Sequence, residues 1–208
     1  MNETIAAILA IVCAYILGSL PFPYIVTRIV KRADIREIGT RNMGAMNTFY
    51  NVGFGWGLLV LFLDMGKGAL ALLIARGLHA PENIQLTAAG VAIIGHMFPV
   101  FLKFKGGKGG ATAVGILALL MPKAVPIAVG IFVLALLLTR YPTFSYALAL
   151  LWAPFAAWII YADGKWVVFS TLLLLMVLVK YFPRLLEMRD KGGNWKRVFI
   201  RRGIKDRF

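Results

Sequence analysis

The stretch GFGWGLLVLFLDMGKGALALLIA, residues 53–75, decides the fold. A helix needs roughly 20 predominantly apolar residues to cross the hydrocarbon of a bilayer, and this run has that length. It also carries Asp64 and Lys67 near its middle. Each such charge costs about 2.5 to 3.5 kcal/mol at the centre of an inserted helix, so both require a reason. At i and i+3 they share one helical face. They either neutralise one another as a structural pair or point together into a polar cavity.

Further apolar runs lie at about 4–27, 84–102, 110–122, 124–139, 144–161 and 165–181. With 60% hydrophobic residues and a mean hydropathy of +0.79, the chain is too apolar for a water-facing surface. Backbone groups in lipid must be satisfied within their own segment, so the runs are expected to be helices. Pro81 in 77–83, Arg140-Tyr141-Pro142 and the polar stretch 161–165 read as turns between spans. The 110–139 region contains Pro122 and Pro126 and fits either one kinked helix or two short ones. The first run is preceded by Glu3 with no basic cluster and has no cleavage signature, so it reads as a retained span. The expectation is an all-α integral membrane protein with about seven transmembrane helices. Residues 1–181 form the polytopic domain and 182–208 a basic cytoplasmic tail.

Charge orients the chain. With seven spans and the N-terminus outside, all but Lys67, Arg76, Lys123 and Lys165 of the 23 Lys and Arg fall on the inner side. That is the positive-inside pattern, and the C-terminus is then cytoplasmic. With six spans, the basic tail and the lysines at 103–108 would lie on opposite faces. The net charge of +14 is carried by segments between and after apolar runs. It therefore points to anionic membrane lipids and phosphorylated substrates, not to nucleic acid. Cys13 is the single cysteine, which rules out an internal disulfide or a cysteine-based zinc cluster. There is no HExxH or GxSxG motif, so neither a metal, a cofactor nor a covalent serine is expected.

The chemistry is read in the polar inserts. In residues 103–112, KFKGGKGGAT, Gly106, Gly107, Gly109 and Gly110 allow backbone N–H groups to approach an anion. Lys103, Lys105 and Lys108 add positive charge, and the following helix, which includes Thr112, directs its positive end to the same place. The motif is not a Walker A loop. The competing reading is an interfacial loop whose lysines touch headgroups. A second cluster holds Gly39, Thr40, Arg41, Asn42, Gly44 and Asn47, with donors suited to phosphate and hydroxyl groups; an Asx-turn with a helix N-cap is its plainer account. His96, near the inner end of its span, is either a base or donor or a helix-end residue.

Taken together, GSLP at 18–21, DIREIG at 34–39, the paired Asn42 and Asn47, DMGKG at 64–68 and GHMFPVFLKFKGGKGGAT at 95–112 resemble the bacterial acyl-phosphate:glycerol-3-phosphate acyltransferases, the PlsY family. The resemblance covers most of the first 145 residues. It implies seven spans, a cytoplasm-facing site, and acyl phosphate and glycerol 3-phosphate as substrates, with lysophosphatidate as product and no acyl-enzyme. It further implies His96, Asn47 and Lys108 as catalytic positioning and charge-stabilising residues. Arg36, Asn42, Gly44, Lys67, Lys103, Lys105, Gly106, Gly107, Gly109, Thr112, Arg140 and Thr143 are implied to bind substrate and phosphate. The chain departs from the family pattern at Thr40-Arg41, at Pro142-Thr143, and before Arg184-Leu185-Leu186, where a histidine and an asparagine are replaced by Lys180-Tyr181-Phe182-Pro183. These departures keep an acyltransferase with another acceptor open. A transporter or scramblase for a phosphorylated compound, and a basic scaffold acting through the tail, are the readings outside enzymology.

Overall fold

A computed structural model describes residues 2–200. Its elements are α1 (Glu3–Ser19), α2 (Phe22–Lys31), α3 (Ala45–Asn51), α4 (Phe54–Gly77), α5 (Glu82–Met97), α6 (Gly110–Leu120), α7 (Val125–Thr139), α8 (Pro142–Ile159), α9 (Gly164–Gly192) and α10 (Trp195–Phe199). Short 3₁₀ turns lie at Val100–Leu102 and Pro122–Ala124. Among the described residues there is no strand. Among the described residues, six segments are long and apolar enough to cross a membrane: Glu3–Lys31, Phe54–Gly77, Glu82–Leu102, Pro122–Thr139, Pro142–Ile159 and Gly164–Gly192.

One expectation about the spans changes, and one open alternative is decided. The first run is not one unbroken helix, because Pro21 and Pro23 supply no N–H to the carbonyls one turn earlier. The carbonyl of Leu17 takes the N–H of Leu20 instead, and α2 starts afresh at Phe22. The 110–139 region resolves into two helices at Met121-Pro122, and α6 keeps only 11 residues. At 1.5 Å per residue that covers about 16 Å of a core roughly 30 Å thick.

The chain forms two compact units, residues 1–119 and 120–208. In the first, α1, α4 and α5 meet through Ala10, Ala14, Ala71, Ala75, Ala88 and Ala92. Small residues let membrane helices approach closely where no hydrophobic force separates them from lipid. Gly18 lies directly on the backbone of Ala92, and Gly95 on the 15–19 turn of α1. Elsewhere along α4, Gly68 abuts Thr112, and Gly115 of α6 abuts the carbonyl of Met65.

In the second unit, Asp163 caps α9 by accepting from the N–H groups of Lys165 and Trp166. Trp152 Nε1 donates to the carbonyl of Ala124, and Tyr141, Met188 and Val198 make a small core with Phe144, Tyr181, Leu185 and Phe199. The helix α9 continues through Pro183 to Gly192, past the point at which the tail was expected to begin. The tail's Arg201, Arg202, Lys205 and Arg207 lie outside the described residues.

The glycine contacts give a direct contrast. A Cβ on Gly95 would stand 2.5 Å from the carbonyl oxygen of Tyr15, whereas one on Gly66 meets nothing within 4 Å. Gly95→Val is expected to cost about 1–3 kcal/mol by overpacking and to lower the melting temperature in detergent. Gly66→Ala is expected to melt with the parent.

Candidate active site

The segment between α2 and α3 is shaped by one buried side chain. Asn47 Nδ2 lies 3.0 Å from each of the carbonyls of Ile35, Ile38 and Asn42. Its Oδ1 accepts from the N–H of Thr40 at 3.0 Å and from Asn51 Nδ2 at 2.8 Å. The loop closes over it because Gly39 takes φ +58°, and a Cβ there would overlap the amides of Asn47 and Asn51. Gly44 caps α3, and its carbonyl accepts from Thr48. Asn47 thus acts on the loop backbone, its amide engaged on both sides.

Arg36 faces the end of this loop. Its Nε and Nη2 donate to Asp34 at 3.0 and 2.7 Å, and its backbone N–H also donates to Asp34, at 2.9 Å. The guanidinium lies over the ring of Tyr24, and Nη1 donates at 3.4 Å to the carbonyl of Leu102, just before the glycine loop. The Arg36 hydrogen bonds hold the Asp34 carboxyl below its ordinary pKa, and Asp34 raises that of Arg36. Leu102 itself packs with Ile35 and Met43, joining the two loops through an apolar floor.

The glycine loop folds back onto the end of α5. Lys103 and Phe104 adopt left-handed φ of 52° and 60°, and Gly109 one of 79°. The Gly107 N–H donates to the carbonyl of His96 at 3.1 Å. A Cβ on Gly106 would overlap that same carbonyl, and one on Gly107 would overlap both His96 Nε2 and the carbonyl of Met43. Glycine is therefore required at both positions by proximity alone. Lys103 and Lys105 are exposed beside the loop, and Lys108 is half-buried.

Behind the loop sits a buried polar group. Asp64 is 0%, His96 2% and Lys67 4% exposed, which excludes direct solvation of the charges. Lys67 Nζ lies 2.7 Å from Asp64 Oδ1 and donates at 2.9 Å to the carbonyl of Leu20. It also stands over the ring of Phe22. His96 Nδ1 is 3.6 Å from the same Asp64 oxygen. Thr112 Oγ1 is buried with no hydrogen-bond partner among the described residues.

The structure thus brings together His96, Gly106, Gly107 and Gly109, with Asn42, Gly44, Asn47 and Arg36 on the adjoining loop. Lys67 is turned inward to Asp64 and Leu20, away from the exposed lysines of the loop. Arg140, in a left-handed cap after α7, and Thr143, in the first turn of α8, belong to the second unit. Sequence reasoning missed Asp34 as the clamp of Arg36, although their i, i+2 spacing was visible. It also missed Asp64 beside His96, which only the packing of α4 on α5 creates. Among the described residues no three His, Cys, Asp or Glu converge as a metal-holding group.

The apolar spans and the buried ion pair define a multi-pass integral membrane protein with a polar site at the ends of α1 and α5. Comparison with known proteins makes this specific. The family model "Glycerol-3-phosphate acyltransferase" matches residues 8–190, and the chain belongs to that family. It is 47% identical over the full length of both chains to glycerol-3-phosphate acyltransferase 2 of Dehalococcoides mccartyi strain CBDB1. It is 35% identical to the glycerol-3-phosphate acyltransferase of Desulforudis audaxviator, over 94% of this chain and all of that one. Among solved structures it is similar to PlsY (YgiH), an integral membrane glycerol 3-phosphate acyltransferase, in its glycerol 3-phosphate form. The TM-score is 0.82 at 27% identity, covering 90% of this chain and 92% of that one.

Two outcomes follow from the loop geometry. Asn47→Ala strands several buried backbone groups and is expected to cost at least about 2 kcal/mol, read as a lower melting temperature and faster proteolysis within 34–44. Asp34 has a lowered folded pKa, so its contribution is complete above its unfolded value of about 3.9 and is lost as pH falls through the lower folded value. Proteolysis of that segment by an acid-stable protease is therefore expected to stay flat from neutrality to about pH 5 and to rise only below about pH 4.

Proposed function

We propose that this acyltransferase uses acyl phosphate as donor, transferring its acyl group directly to the 1-hydroxyl of glycerol 3-phosphate and releasing lysophosphatidate and phosphate. Acyl transfer to glycerol 3-phosphate for phospholipid synthesis is the activity of its family. The observation that carries the proposed site is the fold-back of residues 103–109 onto His96, with Arg36 tied to the same segment through Leu102.

Acyl phosphate is a mixed anhydride, so alignment and charge stabilisation suffice. The hydroxyl oxygen attacks the acyl carbonyl, the carbonyl–phosphate C–O bond breaks, and phosphate departs. A phosphate oxygen of a substrate takes the hydroxyl proton, so no protein nucleophile is needed. In this reading the N–H groups of Gly106 and Gly109, with Lys103, Lys105, Lys108 and Arg36, hold phosphate, while Gly107, whose own N–H goes to the carbonyl of His96, lets the loop lie close enough to do so. His96 and Asn47 keep the two loops in register, and Asn42, Gly44 and Thr112 complete the surroundings. Lys67 acts from behind the site.

The membrane is the cytoplasmic membrane of a bacterium, crossed seven times with the N-terminus outside and the basic C-terminus inside among anionic lipids. The charge bias supports this orientation. The short α6 is compatible with a crossing, because the loop before it buries Gly107 and Gly109 within protein, where non-helical backbone is tolerated at membrane depth.

Purified protein offered acyl phosphate, acyl-CoA and acyl carrier protein in parallel is expected to form lysophosphatidate from acyl phosphate alone, releasing phosphate only when glycerol 3-phosphate is present. Mass spectrometry of the products reads the result. Lys108→Ala removes a charge-assisted contact of about 1.5–3 kcal/mol and is expected to lower kcat/KM roughly 10- to 150-fold. Parental turnover in that variant would remove the lysine from the site.

A further inference from the structure

We infer that Asp64 is a positioning residue for acyl transfer, setting two segments of the site at once: the 20–21 turn through Lys67, and the glycine loop through His96. The inference rests on the proposed reading of that loop.

Asp64 is fully buried, so it acts only through its neighbours. Both lie beside the same oxygen, Oδ1, with Lys67 Nζ at 2.7 Å and His96 Nδ1 at 3.6 Å. Beyond the carboxylate, each neighbour reaches backbone that the helix ladder has released. Lys67 Nζ donates to the carbonyl of Leu20, at the break that Pro21 imposes between α1 and α2. His96 turns its other ring nitrogen, Nε2, toward Gly107 of the glycine loop, and Gly107 in turn lies against the carbonyl of Met43 on the other candidate substrate loop.

At 3.6 Å the carboxylate is beyond hydrogen-bond length from Nδ1 and acts on the ring by charge, favouring the tautomer protonated there and the orientation that turns Nδ1 toward Asp64. The orientation matters, because residues 106 and 107 approach the ring and its carbonyl so closely that no side chain fits between them. An ion pair serving only to neutralise charge in the membrane would be complete with Lys67 at i+3. The presence of His96 on the same oxygen, joining α4 to α5 and to both loops, is what that account leaves unexplained.

The test uses the full-length protein in nanodiscs. Asp64→Asn combined with Lys67→Met removes both charges while keeping similar volumes, and such neutral replacements of buried pairs often preserve stability. The double variant is expected to melt close to the parent and to lose at least about tenfold in kcat, with a raised KM for glycerol 3-phosphate. Amide exchange at Gly107 is expected to accelerate. Asp64→Glu keeps the charge but lengthens the side chain, and its kcat is expected between those of the parent and the double variant. Parental kcat and parental Gly107 exchange in the double variant would overturn the inference and leave a merely stabilising pair. Should the double variant not fold, Asp64→Glu decides alone: reduced kcat with faster Gly107 exchange at unchanged melting supports the inference, and parental values of both overturn it. If the parent forms no lysophosphatidate from acyl phosphate, the donor assignment fails separately, while the exchange measurement still tests Asp64.

Discussion

A carboxylate in the interior of a membrane protein is tolerated only when its charge is answered on the spot, and Asp64 of α4 is answered by Lys67 one turn further on. That requirement fixes the rotation of α4, since the face carrying both charges must point away from lipid. It also determines the neighbours. The same α4 is lined by Gly68 and approached by Gly115, so α6 packs against its backbone, and Ala71 and Ala75 continue the face toward α1 and α5. The polar group and the small-residue seam are one constraint: charges at one level, close-packed alanines and glycines beside it.

The site inherits its shape from where this seam ends. Helix α1 breaks at Leu20-Pro21, and α5 ends at Met97, so backbone at these ends is free to accept the buried lysine and the returning glycine loop. Loops that must hold phosphate are drawn to helix ends and glycine turns because N–H groups are unengaged there. Here the two loops are not independent. Ile35, Met43 and Leu102 form their common floor, and Arg36 spans them from above.

Much of this architecture was legible in the residues. The runs that became α4, α8 and α9 were plain because a bilayer demands long apolar stretches, and the Asp64–Lys67 pair followed from helical spacing. Other features depended on tertiary contacts that no local pattern carries. The short run at 110–122 was itself legible, but the fold-back of Gly107 onto His96 that precedes α6 was not. Asn47 stood out as a polar residue in a candidate site, but its partners at Ile35, Ile38 and Asn42 are set by the course of the loop. The break at Pro21 was present in the sequence and underestimated, because a proline near a span end reads equally well as a kink.

The central claim is that the 34–44 and 103–109 loops form one phosphate-holding surface over His96. Amide hydrogen exchange of the protein in nanodiscs, with and without glycerol 3-phosphate, tests it most directly. The account predicts that the ligand slows exchange in both segments together, at the same concentration. Slowing in neither segment, or in only one of them, would contradict it.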